Sequence, residues 1–239
     1  MTLADRFIDF AEEHYAVDWA AIQRSVAARL RVRPSFDATV YDPRRYPSYW
    51  CVPVLVGGYL GASRRAVLLD TEAFVGGCVL RHHLLDPERP FDAEPGPLAG
   101  AYDGCRLGAG PATPFDARFA AKCRPWTVLL ATGTEAILAE TDRRADYDAA
   151  LAAIVLVHSC LQIIDDWHDR EEDLARAHWN MWVHEPLRDT LAVITPLVRG
   201  AGASIRRLRP HLLRTALDLQ LRDTTAELAD VVARSRATT

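Results

Sequence analysis

With 239 residues, 49% of them hydrophobic, the chain has enough apolar material for one sizeable core. A formal charge of −4, from 28 basic and 32 acidic side chains, argues against nucleic acid as the main partner. The five cysteines (Cys51, Cys78, Cys105, Cys123 and Cys160) are odd in number and contain no CxxC pair, which indicates neither a disulfide framework nor a zinc site and fits a reducing cytoplasm.

Helical periodicity dominates the chain and strand alternation is nearly absent. Residues 3–30 read as one or two amphipathic helices with Phe7, Phe10, Ala11 and Tyr15 on one stripe. The first 18 residues are acidic, unlike a secretory leader. Pro34, Pro43, Pro47 and Pro53 punctuate a loop over 34–53. Residues 54–61 then read as a small-residue helix and 66–85 as a buried one. Six prolines and five glycines over 86–114 exclude regular structure. Long loops of this kind often serve as lids or binding loops, here over one end of the fold.

Three segments follow that read as helical throughout: 115–140, kinked at Pro125, then 142–182 and 186–199. The last helix spans about 203–236, with a break at Pro210; its arginine-rich face reads as solvated surface rather than a nucleic-acid patch. No run reaches the roughly 18 uninterrupted apolar residues of a membrane span. The longest candidate, 149–164, is interrupted by His158, Ser159 and Gln162, so an integral membrane protein is not expected. The expectation is an all-α single domain over 1–239, with a Pro/Gly-rich loop at 87–114.

The stretch that carries chemistry is Leu161-Gln-Ile-Ile-Asp-Asp-Trp-His-Asp-Arg-Glu-Glu-Asp173. An apolar helix, of the kind that packs in a core, runs directly into six acids within nine residues. At about 100° per residue Asp165, Asp169 and Glu172 share a face, flanked by Asp166 and Asp173, with Gln162 one turn earlier. Carboxylates crowded at the end of a buried helix repel one another and resist desolvation, so a counter-charge is required. Arg170 and Arg176 are fewer than the acids. Hard oxygen donors suit magnesium, which uses one or two carboxylates and completes its shell with water and phosphate oxygens. The bland alternative is a solvated acidic helix end with local ion pairs, which suits Glu171, Glu172 and Asp173 better than Asp165 and Asp166.

Gln162-Ile-Ile-Asp165-Asp-Trp-His-Asp169 resembles the second aspartate-rich motif, Q-x-x-D-D-x-x-D, of trans-isoprenyl diphosphate synthases, members of the class I terpenoid synthase superfamily. Upstream, Cys123-Arg-Pro-Trp-Thr127-Val-Leu-Leu resembles the family's K-T-x-x-L helix, with Arg124 near the lysine position. Glu72 followed by His82-His-Leu-Leu-Asp86 lies where the family has a glutamate and its first D-D-x-x-D motif. The resemblance covers roughly residues 66–173. It implies a helical bundle around a central cavity, a dimer, and magnesium held by Asp165, Asp166 and Asp169 as the catalytic metal-binding set, with Asp86 opposite. It further implies contact of a prenyl diphosphate with Arg124 and Arg170, then Lys122 and Arg81, with His82, His83 and Thr127 nearby. Phe74, Trp126 and Trp167 would line the cavity, or simply fill the core, and Gln162 would orient a carboxylate or a metal-bound water.

Four departures shape that reading. The first motif, His82-His-Leu-Leu-Asp86, keeps only its last aspartate, and imidazoles do not replace carboxylates on magnesium. Glu88 and Asp92 are then fallback ligands. A basic K-R-x-R-P-like segment for a second diphosphate is absent, Pro47-Ser-Tyr-Trp-Cys-Val-Pro53 standing in its place. The Pro/Gly-rich loop replaces one helix of the usual bundle, and Asn180 does not complete an N-D-x-x-S-x-x-x-E triad. One diphosphate site favours a terpene cyclase. Prenyl transfer, a non-catalytic partner subunit of a prenyl synthase, and a helical protein with a purely structural acidic cluster remain alternatives.

Overall fold

The computed structural model describes residues 3–30, 52–84, 118–119, 122–123 and 133–237. Among these residues the fold is helical and without strands. In chain order the helices are α1 (Leu3–Tyr15), α2 (Trp19–Leu30), α3 (Val52–Leu60), α4 (Arg64–Leu84), α5 (Glu135–Thr141), α6 (Arg144–His168), α7 (Arg170–Ala175), α8 (Met181–His184), α9 (Leu187–Arg207) and α10 (Leu212–Ala237). Residues 118–119 and 122–123 are also helical.

Local chemistry sets the boundaries. α1 ends where Ala16 turns left-handed at φ 47°, and Asp18 then accepts the Ala21 N–H at 2.9 Å to open α2. α3 ends at Gly61, whose φ of 75° is costly for any residue with a Cβ. Its N–H and that of Ala62 both close on the Gly57 carbonyl, at 2.8 and 2.9 Å. α5 takes its cap from another helix. The buried Asp70 of α4 accepts the N–H groups of Ala136 and Ile137, at 3.0 and 2.8 Å. Gly133, just before α5, has no room for a side chain, because a Cβ would lie 2.6 Å from Phe74.

α6 is the axis of the molecule. It packs against α9 and α10, which also pack on each other, and against α3 and α5. Ile154, Val157, Cys160 and Ile163 share one buried cluster with Leu197, Ala201 and Ile205 of α9 and Leu213, Leu217, Leu221 and Leu228 of α10. The same cluster takes in Phe7 of α1, Val54 and Tyr59 of α3 and Phe74 of α4. Among the described residues α6 is the one helix long and apolar enough, by length and composition, to cross a membrane. Here those apolar positions are what the neighbouring helices cover.

Two expected helices are divided. The segment 142–182 is not continuous, because Asp169 takes φ −90°, ψ 4° after α6 and Ala177 turns left-handed at φ 55° after α7. Buried hydrogen bonds from Asn180 hold the chain in that turn, and they outweigh local helical propensity. Residues 203–207 belong to α9 rather than to the last helix. The chain goes extended at Leu208, just before Pro210, which cannot donate to a continuing helix. The expected helix over 115–140 is interrupted by a turn at Gly133 and Thr134.

Candidate functional site

The acidic turn forms where α6 leaves the core. Asp165 and Asp169 are exposed and stand one helical turn apart, the Asp169 N–H donating to the Asp165 carbonyl at 2.8 Å. Asp166, one residue on, points inward and is 1% exposed. An isolated buried carboxylate is costly, so it must be paired or well hydrogen-bonded. Gln162, one turn earlier, donates from Nε2 to Asp166 Oδ1 at 2.9 Å. The Met181 N–H donates to Oδ2 at 3.3 Å. The charge is met by Lys122, whose Nζ lies 2.8 Å from Asp166 Oδ1.

Lys122 is fully engaged. Its three ammonium protons match three acceptors: Asp166, Asp173 Oδ2 at 2.8 Å, and the Trp179 carbonyl at 3.1 Å. Asn180, wholly buried, ties the same parts together. Its Nδ2 donates to the Asp166 carbonyl at 2.6 Å and to Asp173 Oδ2 at 2.9 Å, and its Oδ1 accepts the Trp182 N–H at 3.0 Å to cap α8. The loop from α7 to α8 is thereby pinned to the end of α6 through side chains.

Titration follows from this wiring. Burial opposes charge on Lys122, but the two carboxylates outweigh it and hold the ammonium above the ordinary lysine value of 10.5. Burial likewise works against Asp173, where Lys122 and Asn180 win and hold the carboxyl below the usual aspartate value. Burial raises Asp166, opposed by Lys122, Gln162 and the Met181 N–H. Asp169 is raised by desolvation and then by the charges of Asp173 and Glu172, a repulsion that any nearby cation would relieve.

The other nominated residues fall as follows. Arg170 folds back on Trp167, donating to its carbonyl at 2.6 Å with the guanidinium 4.4 Å from the ring centroid. Trp167 in turn meets Trp182 edge to face at 5.2 Å. Phe74 is fully buried in the core against Gly133. Glu72 accepts a hydrogen bond from Ser25 at 2.8 Å. Asp86, Glu88, Asp92, Arg124, Trp126 and Thr127 lie outside the described residues, as do the side chains of Arg81, His82 and His83 at the end of α4. Cys160 is no nucleophile, since burial and then the neighbouring Cys123 push its thiol up to about 12.

No family model, curated protein or solved structure matches this chain.

For a divalent cation the donor set is divided. Asp165 and Asp169, exposed on one face, fit the habit of magnesium, which takes one or two carboxylates and keeps water and phosphate in its remaining positions. Asp166 fits differently, since its oxygens already serve three protein donors and the side chain is buried. Among the described residues no group of three or more His, Cys, Asp and Glu side chains is arranged to hold a metal. The counter-charge that the sequence required is supplied in part by Lys122, a residue nominated there only as a secondary diphosphate contact. Its signal lies in tertiary structure, because it meets Asp173 across 51 residues. Asn180, which does not complete the metal triad sought in the sequence, is the second residue whose role only packing reveals.

Proposed function

We propose that the chain is a magnesium-dependent class I isoprenoid enzyme that ionises an allylic prenyl diphosphate, with terpene cyclisation favoured over prenyl transfer. One observation carries the reading. Gln162-x-x-Asp165-Asp166-x-x-Asp169 lies at the end of the central buried helix, with Asp165 and Asp169 presented to solvent one turn apart. Asp165 and Asp169 would hold the metal, which when bound supplies Lewis-acid stabilisation of a leaving diphosphate. Asp166 acts from behind them. Gln162 and Lys122 fix its carboxylate, and Asn180 fixes its backbone, so the turn bearing Asp165 and Asp169 is held rigidly. With Arg170 folded onto Trp167, a diphosphate contact from Arg170 requires that side chain to swing away from the ring.

A second reading is favoured by a specific observation. Lys122 is ion-paired with both Asp166 and Asp173, as expected of a structural ion-pair network. Turnover decides between them. The purified protein is incubated with magnesium and geranyl, farnesyl or geranylgeranyl diphosphate, alone and with isopentenyl diphosphate. Pyrophosphate release from one substrate is the expected result. Release only with both indicates a prenyltransferase. No release from any combination rejects the catalytic reading and leaves a partner subunit or a structural cluster.

A further inference from the structure

The end of the bundle away from the acidic turn has the opposite charge character. Between Asp189 and Asp218 the chain has no acidic residue, yet it carries Arg199, Arg206, Arg207, Arg209, His211 and Arg214. Most of these gather at the corner where α9 passes into α10. Arg206, Arg207 and Arg209 are exposed, and Arg214 is half-buried with Nη1 donating to the Leu208 carbonyl at 3.0 Å. α3 anchors the corner. The Arg209 guanidinium lies 4.5 Å from the Tyr59 ring centroid, and the His211 ring meets the same tyrosine at 5.7 Å. α6 starts at this end, since Arg143 donates to the Leu60 carbonyl at 3.2 Å.

The pairing of these arginines sets them apart. Arg143, Arg144, Arg176, Arg188 and Arg222 each have an aspartate or glutamate partner close by in sequence. Arg206, Arg207, Arg209 and Arg214 have no such partner among the described residues. Of the carboxylates that neighbouring elements bring to this end, Glu140 is bound to Ser63, Asp146 to Arg143 and Asp148 to Arg144. Of the acids over 140–148 that leaves Asp142.

We infer that this arginine corner docks the protein on an anionic lipid surface. The corner is a bend between two helices with an exposed Pro210 at its apex, a shape that meets a flat array of headgroups. Its aromatic residue, Tyr59, is buried beneath Arg209 and offers no platform for stacking bases, which single-stranded nucleic acid requires. Each arginine held near an anionic leaflet adds binding that falls off within a Debye length, so the interaction is salt-sensitive.

The test is co-sedimentation of the full chain with vesicles of phosphatidylcholine alone, and with vesicles of phosphatidylcholine and phosphatidylglycerol in equal parts. Binding is expected only to the anionic vesicles, with release in high salt. Arg206→Gln with Arg207→Gln should lower the partition coefficient by about tenfold or more, because both side chains are exposed and their loss leaves the core intact. Arg188→Gln, a paired arginine at the other end of α9, should leave it unchanged. The inference is overturned by failure of the unmodified chain to bind anionic vesicles, by equal loss with Arg188→Gln, or by tighter binding of a single-stranded oligonucleotide that displaces the vesicles. Because none of these arms uses magnesium or prenyl diphosphate, the result is independent of the proposed activity.

Discussion

Two buried aspartates in this protein solve one problem in different ways. Asp70 is 3% exposed and Asp166 is 1% exposed, and both would be costly if left alone. Asp70 spends its two oxygens on the first free N–H groups of α5, where helix-end partial charge takes the place of a cation. Asp166 cannot do this, because it sits at the C-terminal end of its own helix, where the dipole disfavours an anion. It is met instead by a full positive charge, Lys122, reinforced by Gln162 and the Met181 N–H. A buried acid is therefore not by itself a sign of a metal, and what distinguishes Asp165 and Asp169 is that they stand on an exposed face.

The largest effect should come from breaking the stronger arrangement. Lys122→Met should destabilise the fold by about 3–5 kcal/mol in urea unfolding, because it strands the Asp166 charge in the interior. Adding Asp166→Leu should recover most of that loss, which no role limited to surface charge explains. The same pair has a pH signature. The folded Lys122 value lies above the unfolded 10.5, so the stability it supplies is fully present below 10.5 and is lost as pH rises through the folded value. Alkaline unfolding of Lys122→Met should show a shallower loss over that window. Asp70→Ala should cost less, about 0.5–2 kcal/mol, as for a lost helix cap, and it should loosen α5 first, read by hydrogen exchange at Ala136 and Ile137.

Much of the fold was legible in the sequence, and the reasons are local. Apolar residues on every side of 149–164 announced a core helix, and Gln162, read as orienting a carboxylate or a metal-bound water, donates to Asp166 one turn on. Where competition between local and distant forces decides, the sequence was less clear. Residues 169–180 have ordinary helical composition, and only the buried Asn180 side chain explains why α6 stops and the chain turns. Lys122 was visible as a basic residue, but nothing in its neighbourhood names Asp166 and Asp173 as its partners. The cap that Asp70 gives to α5 spans 66 residues and has no local signature either.

The smallest stability effect carries the most weight for function. Asp165→Asn with Asp169→Asn alters an exposed face and should move stability by no more than about 0.5 kcal/mol. The decisive measurement is the melting temperature of the unmodified chain and of this double variant, with magnesium, with inorganic pyrophosphate, and with both. A ligand that binds only the folded state must raise the melting temperature. A clear rise is expected for the unmodified chain with both ligands together, and none for the variant. No rise for the unmodified chain, or an equal rise for the variant, would contradict the assignment of Asp165 and Asp169.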